Sequence, residues 1–116
     1  MINRTLGLDW DGVITHFPQE MRILAERFDA VVIITLNKSI TAEKAREVLQ
    51  KEGVLVEICP DGERDNYAAW KALACRSHGV ALMIDDDGFV VVECRSFDVP
   101  ALAVNAMFVQ SALREL

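Results

Sequence analysis

Two aspartates one residue apart close an apolar run near the N-terminus, in Leu6-Gly7-Leu8-Asp9-Trp10-Asp11-Gly12-Val13-Ile14-Thr15. An apolar run that ends in charge and glycine reads as a buried strand whose tip is displayed at a sheet edge. Carboxylates crowded there repel one another and lose hydration, so a fold that keeps them gains something in return, most often a divalent cation or a phosphorylated ligand. A second acidic run, Asp85-Asp86-Asp87-Gly88, ends the apolar stretch Val80–Ile84, and the hydroxyl of Thr35 ends the run Ala30–Thr35. If the strands carrying Asp9, Thr35 and Asp85 are neighbours, spaced by about 4.8 Å, these side chains converge on one small ion and one phosphate.

The elements that must position them alternate along the chain. A strand over Thr5–Asp9 precedes a helix from Pro18, a suitable first helical residue, to Phe28, with Met21, Leu24, Ala25 and Phe28 on one face. Ala30–Thr35 is a β-branched run without polar alternation, the mark of a strand covered on both sides. Thr41 caps a second helix that Gly53 ends, and Val54–Cys59 is the third strand. A loop over residues 60–64 leads to a helix from Asp65 to Ser77, with Trp70, Leu73 and Ala74 inward and Gly79 as its stop. Strand four is Val80–Ile84. Phe89–Phe97 favours strand by propensity, but its place in the alternation predicts a helix, with Asp87 as N-cap. Pro100–Val104 is a short fifth strand and Ala106–Leu116 a closing helix. This order predicts one domain over residues 1–116, an α/β three-layer α/β/α Rossmann-like parallel sheet of about five strands. Ligands bind beyond the carboxyl ends of such strands, where strand order reverses.

Composition narrows the field. A chain of 116 residues buries an ordinary core without disulfides or structural metal. Its 3 cysteines, Cys59, Cys75 and Cys94, lack zinc-site spacing and read as small buried apolar residues. The net charge of −6 argues against extended nucleic-acid or anionic-membrane binding. No apolar window approaches the roughly 18 residues of a membrane span, and no signal-peptide pattern opens the chain, so a soluble cytoplasmic protein is expected. Leu102, Val104, Met107, Phe108 and Leu113 give the end of the chain an apolar face through which it could self-associate.

Three motifs in order, Leu8-Asp9-Trp10-Asp11-Gly12-Val13, the strand ending in Thr35, and Met83-Ile84-Asp85-Asp86, resemble those of the haloacid dehalogenase-like (HAD) hydrolases. The resemblance covers the whole chain. It implies a Mg2+-dependent phosphatase in which Asp9 is the nucleophile and forms an aspartyl-phosphate. Asp11 would then be the acid and base for the two half-reactions. It implies metal ligation by Asp9, the Asp11 backbone carbonyl and Asp85, supported by Asp86, and phosphate held by Thr35 with the backbone N–H groups of Leu36 and Asn37. For the basic residue of the family's third motif, Arg64, 21 residues before Asp85, is preferred to Lys71, 14 before it, with Lys38 third. Neither gap between motifs has room for a cap domain, so the substrate is a macromolecule or is enclosed by a neighbouring subunit.

The sequence departs from the family pattern at Phe89, where an additional aspartate is common, at bulky Trp10, and in the short stretch between Asp11 and Pro18. A catalytically inactive HAD-like domain that binds a ligand or protein is the alternative. An EF-hand is excluded because Ile14 stands where that loop needs glycine. A receiver module is excluded because Cys59-Pro60 stands where its acceptor aspartate belongs. His16 reads as an exposed loop residue and His78 as a favourable charge at a helix end.

Overall fold

The computed structural model describes residues 4–105 and residue 114. Five parallel strands form one sheet in the order β3-β2-β1-β4-β5, with β1 over Thr5–Leu8, β2 over Ala30–Thr35, β3 over Val54–Ile58, β4 over Val80–Asp85 and β5 over Ala101–Ala103. The chain builds outward from β1 to β3 on one side, then crosses to β4 and β5 on the other. Strand order therefore reverses beside β1, with β2 and β4 as its direct neighbours.

Among the described residues four helices cover the sheet: α1, Pro18–Ala25; α2, Ala42–Leu49; α3, Tyr67–Ser77; and α4, Gly88–Ser96. Alternation along the strands sorts the core into two layers, because successive side chains of a strand point to opposite faces. Leu6, Leu8, Val31 and Ile33 pack with Met21, Ala25, Ala45 and Leu49 of α1 and α2. Val32, Ile34 and Met83 pack with Ala72, Cys75, Val90 and Cys94 of α3 and α4. The α/β three-layer parallel architecture expected from the sequence is the one observed. All three cysteines are buried and free.

Local signals hold in several places. The Thr41 side chain accepts from the Lys44 N–H at 3.1 Å, and residues 89–96 are helical, as alternation required, with the Asp87 side chain capping the Phe89 N–H at 2.8 Å. Four expectations are corrected. Helix α1 ends at Ala25 rather than Phe28. Gln50, at φ 51°, closes α2, and Gly53 serves a close approach instead, since a Cβ there would lie 3.3 Å from the Asp29 carbonyl oxygen. Residues 61–66 form a 3-10 turn closed by the Glu63 N–H on the Pro60 carbonyl, and non-helical Asn66 delays α3 to Tyr67.

The fourth correction concerns which face of α3 points inward. Leu73 is 52% exposed, whereas Lys71, Ala72, Ala74 and Cys75 are buried. The inward stripe runs through a lysine, which a reading by apolar spacing passes over. Val104 is also buried in the core, which removes it from any surface for self-association. Of the expected closing helix over 106–116, Arg114 is helical, and Met107, Phe108 and Leu113 lie outside the described residues. Among the described residues no helix is long and apolar enough to cross a membrane.

Candidate functional site

Register places the acidic tips. Leu8 pairs with Ile84, so the next residues along, Asp9 and Asp85, stand side by side, and the Asp9 N–H donates to the Ile84 carbonyl at 3.0 Å. Period-two alternation turns both toward the layer of α3 and α4, together with Gly7 and Met83. There α3 delivers Lys71, whose Nζ lies 2.8 Å from Asp85 Oδ2 and 3.2 Å from Asp9 Oδ1. Asp9 is 7% exposed, Lys71 2% and Asp85 0%, so one ammonium is buried with two carboxylates.

Burial dominates the electrostatics of this group. It pushes the Asp9 carboxyl up to about 7; the Lys71 ammonium opposes the shift, and the negative charge of Asp85 reinforces it. Burial raises Asp85 likewise, again against Lys71. For Lys71 burial favours the neutral amine, but Asp85 and Asp9 outweigh it and hold the ammonium above the usual lysine range.

The rim is built by the turn that follows β1. The Asp9 side chain accepts from the Trp10 N–H at 2.8 Å, the Thr15 N–H closes on the Trp10 carbonyl at 3.1 Å, and the Gly12 N–H donates to Thr15 Oγ1 at 2.9 Å. Gly12 sits at φ 84°, and a Cβ there would run into the Asp86 carboxylate, so two physical reasons require glycine. The turn leaves Asp11 exposed, where its Oδ2 accepts from Asn37 Nδ2 at 3.1 Å. Across the mouth, the Tyr67 hydroxyl donates to Asp87 Oδ2 at 2.6 Å, and the Asp87 N–H donates to Asp85 Oδ1 at 3.0 Å.

These groups enclose a cleft of about 220 Å³ lined by Asp9, Asp11, Thr35, Leu36, Tyr67, Lys71, Asp85, Asp86 and Asp87. Asp9, Asp85 and Asp86 each present a carboxylate oxygen, all within 4.8 Å of one another. Such an all-oxygen, charge-dense donor set could hold a metal ion and suits a hard divalent cation better than a thiolate- or imidazole-seeking one.

The structure thus brings together Asp9, Asp11, Thr35, Leu36, Lys71, Asp85 and Asp86 from the residues singled out in the sequence. Arg64, preferred there as the basic residue, does not reach the carboxylates. Its Nη2 donates to the Leu36 carbonyl at 2.7 Å and its Nε lies 3.3 Å from Asp61 Oδ1, so it braces the loop after β2. Lys38 pairs with Asp61 on the surface. Lys71 is the cation in the cleft.

The Asn37 backbone N–H donates to Thr35 Oγ1 at 3.0 Å. Trp10 belongs to the core layer under α1 and α2. His16 is exposed, and His78 at the end of α3 lies 3.4 Å from Glu57 Oε2. Tyr67 and Asp87 line the cleft without having been marked as site residues. In the sequence Asp87 has only the pattern of a cap, and nothing around Tyr67 distinguishes it from a helix-start aromatic. No protein-family model and no curated protein sequence matches this chain.

Proposed function

We propose that this chain is a HAD-like phosphatase, a Mg2+-dependent phosphomonoester hydrolase working through an aspartyl-phosphate on Asp9. The convergence of Asp9, Asp85 and Asp86 within 4.8 Å, beside buried Lys71 and Thr35, supports the reading. A divalent cation held by those three carboxylates would neutralise the repulsion between the Asp9 carboxylate and a phosphate.

Asp9 Oδ1 is engaged by the Trp10 N–H and by Lys71, which leaves Oδ2 for attack on phosphorus. As the new P–O bond forms, the ester P–O bond breaks, and protonated Asp11 gives its proton to the departing oxygen. Water then bonds to phosphorus, its proton passes to Asp11, and the bond between Asp9 and phosphorus breaks to release inorganic phosphate. One carboxyl group serves as acid and then as base. The positive charge of Lys71 stabilises both the ionised nucleophile and the phosphoryl oxygens.

The test is hydrolysis of 4-nitrophenyl phosphate by the wild-type chain and by Asp9→Asn, with and without Mg2+. Mg2+-dependent turnover that drops by at least about a thousandfold in the variant is the expected result. Turnover retained by a folded Asp9→Asn would place the chemistry elsewhere. One observation favours a second reading, a domain that binds without turnover: Lys71 already supplies a counter-charge to Asp9 and Asp85. Mg2+ binding without hydrolysis of a broad phosphate-ester panel would select it.

A further inference from the structure

We infer that Asn37 is the positioning residue for the general acid, fixing which oxygen of Asp11 carries the transferable proton. This rests on the phosphatase reading and adds to it a residue that acts through the Asp11 carboxylate.

Three hydrogen bonds immobilise Asn37. Its backbone N–H donates to Thr35 Oγ1 at 3.0 Å, its Oδ1 accepts from the Ser39 N–H at 2.9 Å, and its Nδ2 donates to Asp11 Oδ2 at 3.1 Å. The amide cannot be turned over without losing two of them: the Ser39 N–H needs an acceptor and the Asp11 carboxylate needs a donor. The direction of the bond to Asp11 is therefore set by the local fold of the loop after β2. It is also the one hydrogen bond made by the Asp11 carboxylate among the described residues.

A carboxyl group that accepts an N–H bond on one oxygen holds its own proton on the other, since the accepting oxygen is the carbonyl-like one. Asn37 on Oδ2 thus assigns the proton to Oδ1. In the first half-reaction that O–H bond breaks and the proton goes to the leaving oxygen as the P–O ester bond breaks. In the second, the same oxygen takes the proton of the attacking water. Without Asn37 the exposed Asp11 side chain samples other rotamers and both protonation sites, and proton delivery loses its alignment.

Leaving groups report this selectively. A good leaving group departs without help, whereas a poor one needs its proton in the transition state. Phenyl phosphate and 4-nitrophenyl phosphate are close in shape and differ in that need. kcat/KM is the quantity to compare, because it covers the first transfer, in which the leaving oxygen is released, and not the common dephosphorylation step.

The full-length chain is assayed with Mg2+ as wild type, Asn37→Ser and Asn37→Ala, alone and combined with Asp11→Asn. Serine keeps an oxygen able to accept from the residue two positions on, so the loop survives if alanine loosens it. Thermal melts run alongside report folding. Each Asn37 variant is expected to lose about fivefold or more toward phenyl phosphate and less than about twofold toward 4-nitrophenyl phosphate. In the Asp11→Asn background the same changes should add no further loss. Equal losses on both esters, no loss, or a further loss in that background would overturn the assignment. Wild-type chain inactive on both esters would instead sink the phosphatase reading, and this inference with it.

Discussion

Asp9 and Asp11 are the same residue type two positions apart, yet they occupy opposite environments. Asp9 lies on the cleft floor, 7% exposed, its carboxyl pushed up to about 7 by burial and answered by a buried lysine. Asp11 lies on the rim, exposed, and is answered by a neutral amide. The floor is costly to build and rigid; the rim is open to solvent and held by a few hydrogen bonds. In the proposed mechanism it is environment, not residue type, that would divide the work between a fixed nucleophile and a proton carrier. Changes to the floor should therefore act on stability and chemistry together, while changes to the rim should act mainly on chemistry.

The largest effect should come from Lys71→Met. It removes the one cation that Asp9 and Asp85 share among the described residues and leaves two buried carboxylates facing one another. Breaking a buried ionic group in this way costs about 3–5 kcal/mol, reduced where one carboxylate takes up a proton. Urea unfolding at pH 8 should show the loss, and millimolar Mg2+ should restore part of it, because an ion bound only by the folded state stabilises by mass action. A variant as stable as wild type without Mg2+ would mean that the floor is not under electrostatic strain.

Gly12→Ala joins floor and rim. A residue with a side chain held at φ 84° carries a backbone penalty of about 1–2 kcal/mol, and the added Cβ must displace the Asp86 carboxylate. Stability should fall by about that amount, while Mg2+ affinity falls more steeply than stability does, as calorimetric titration would show.

Asp9→Asn should have the opposite sign on stability. The folded-state pKa of Asp9 lies near 7, above the ordinary aspartate value of 3.8, so the native state holds the proton more tightly than the unfolded chain. The stability this contributes is complete below about pH 4 and is lost as pH rises through 7. Asparagine removes the ionising group and leaves Lys71 in a one-to-one pair with Asp85. The variant should be more stable than wild type at pH 8 by about 1–3 kcal/mol, with the gap closing toward pH 4. Melting curves across that range, without divalent cation, check both sign and window.

The sequence made the floor's acids legible and hid its base. Asp9, Thr35 and Asp85 each end an apolar run, and parallel pairing brings such ends together, so period and order were enough to place them. Lys71 lies inside a helix, and a lysine there is normally solvated. It reads as surface until the two carboxylates that compensate its burial are known, and those come from strands 62 residues before it and 14 after it. The same blind spot moved the inward stripe of α3 and left Leu73 expected inside and found outside. Arg64 misled for the complementary reason: its place just ahead of a helix fits phosphate binding, but the 3-10 turn over residues 61–66 directs it to the Leu36 carbonyl. The rim was less legible still. Asn37 reaches Asp11, and Tyr67 reaches Asp87, through one hydrogen bond each between distant segments, and no periodicity encodes them.

Tyr67→Phe should be the smallest change and the sharpest probe of where the rim begins. The hydroxyl donates to Asp87 Oδ2 at 2.6 Å, and that bond is the first cause of a tyrosine pKa raised above its ordinary value. Asp87 keeps its cap on the Phe89 N–H through Oδ1 and its own N–H on Asp85 Oδ1, so α4 still starts in the same place. Only the tie between α3 and the loop after β4 is lost, worth about 1 kcal/mol in a partly buried setting. If that loop belongs to the rim, melting should drop slightly while Mg2+ affinity stays within about twofold of wild type. A loss of Mg2+ affinity larger than the loss of stability would move Asp87 and its tyrosine into the floor, because the tie would then be holding Asp85 in place through the Asp87 backbone.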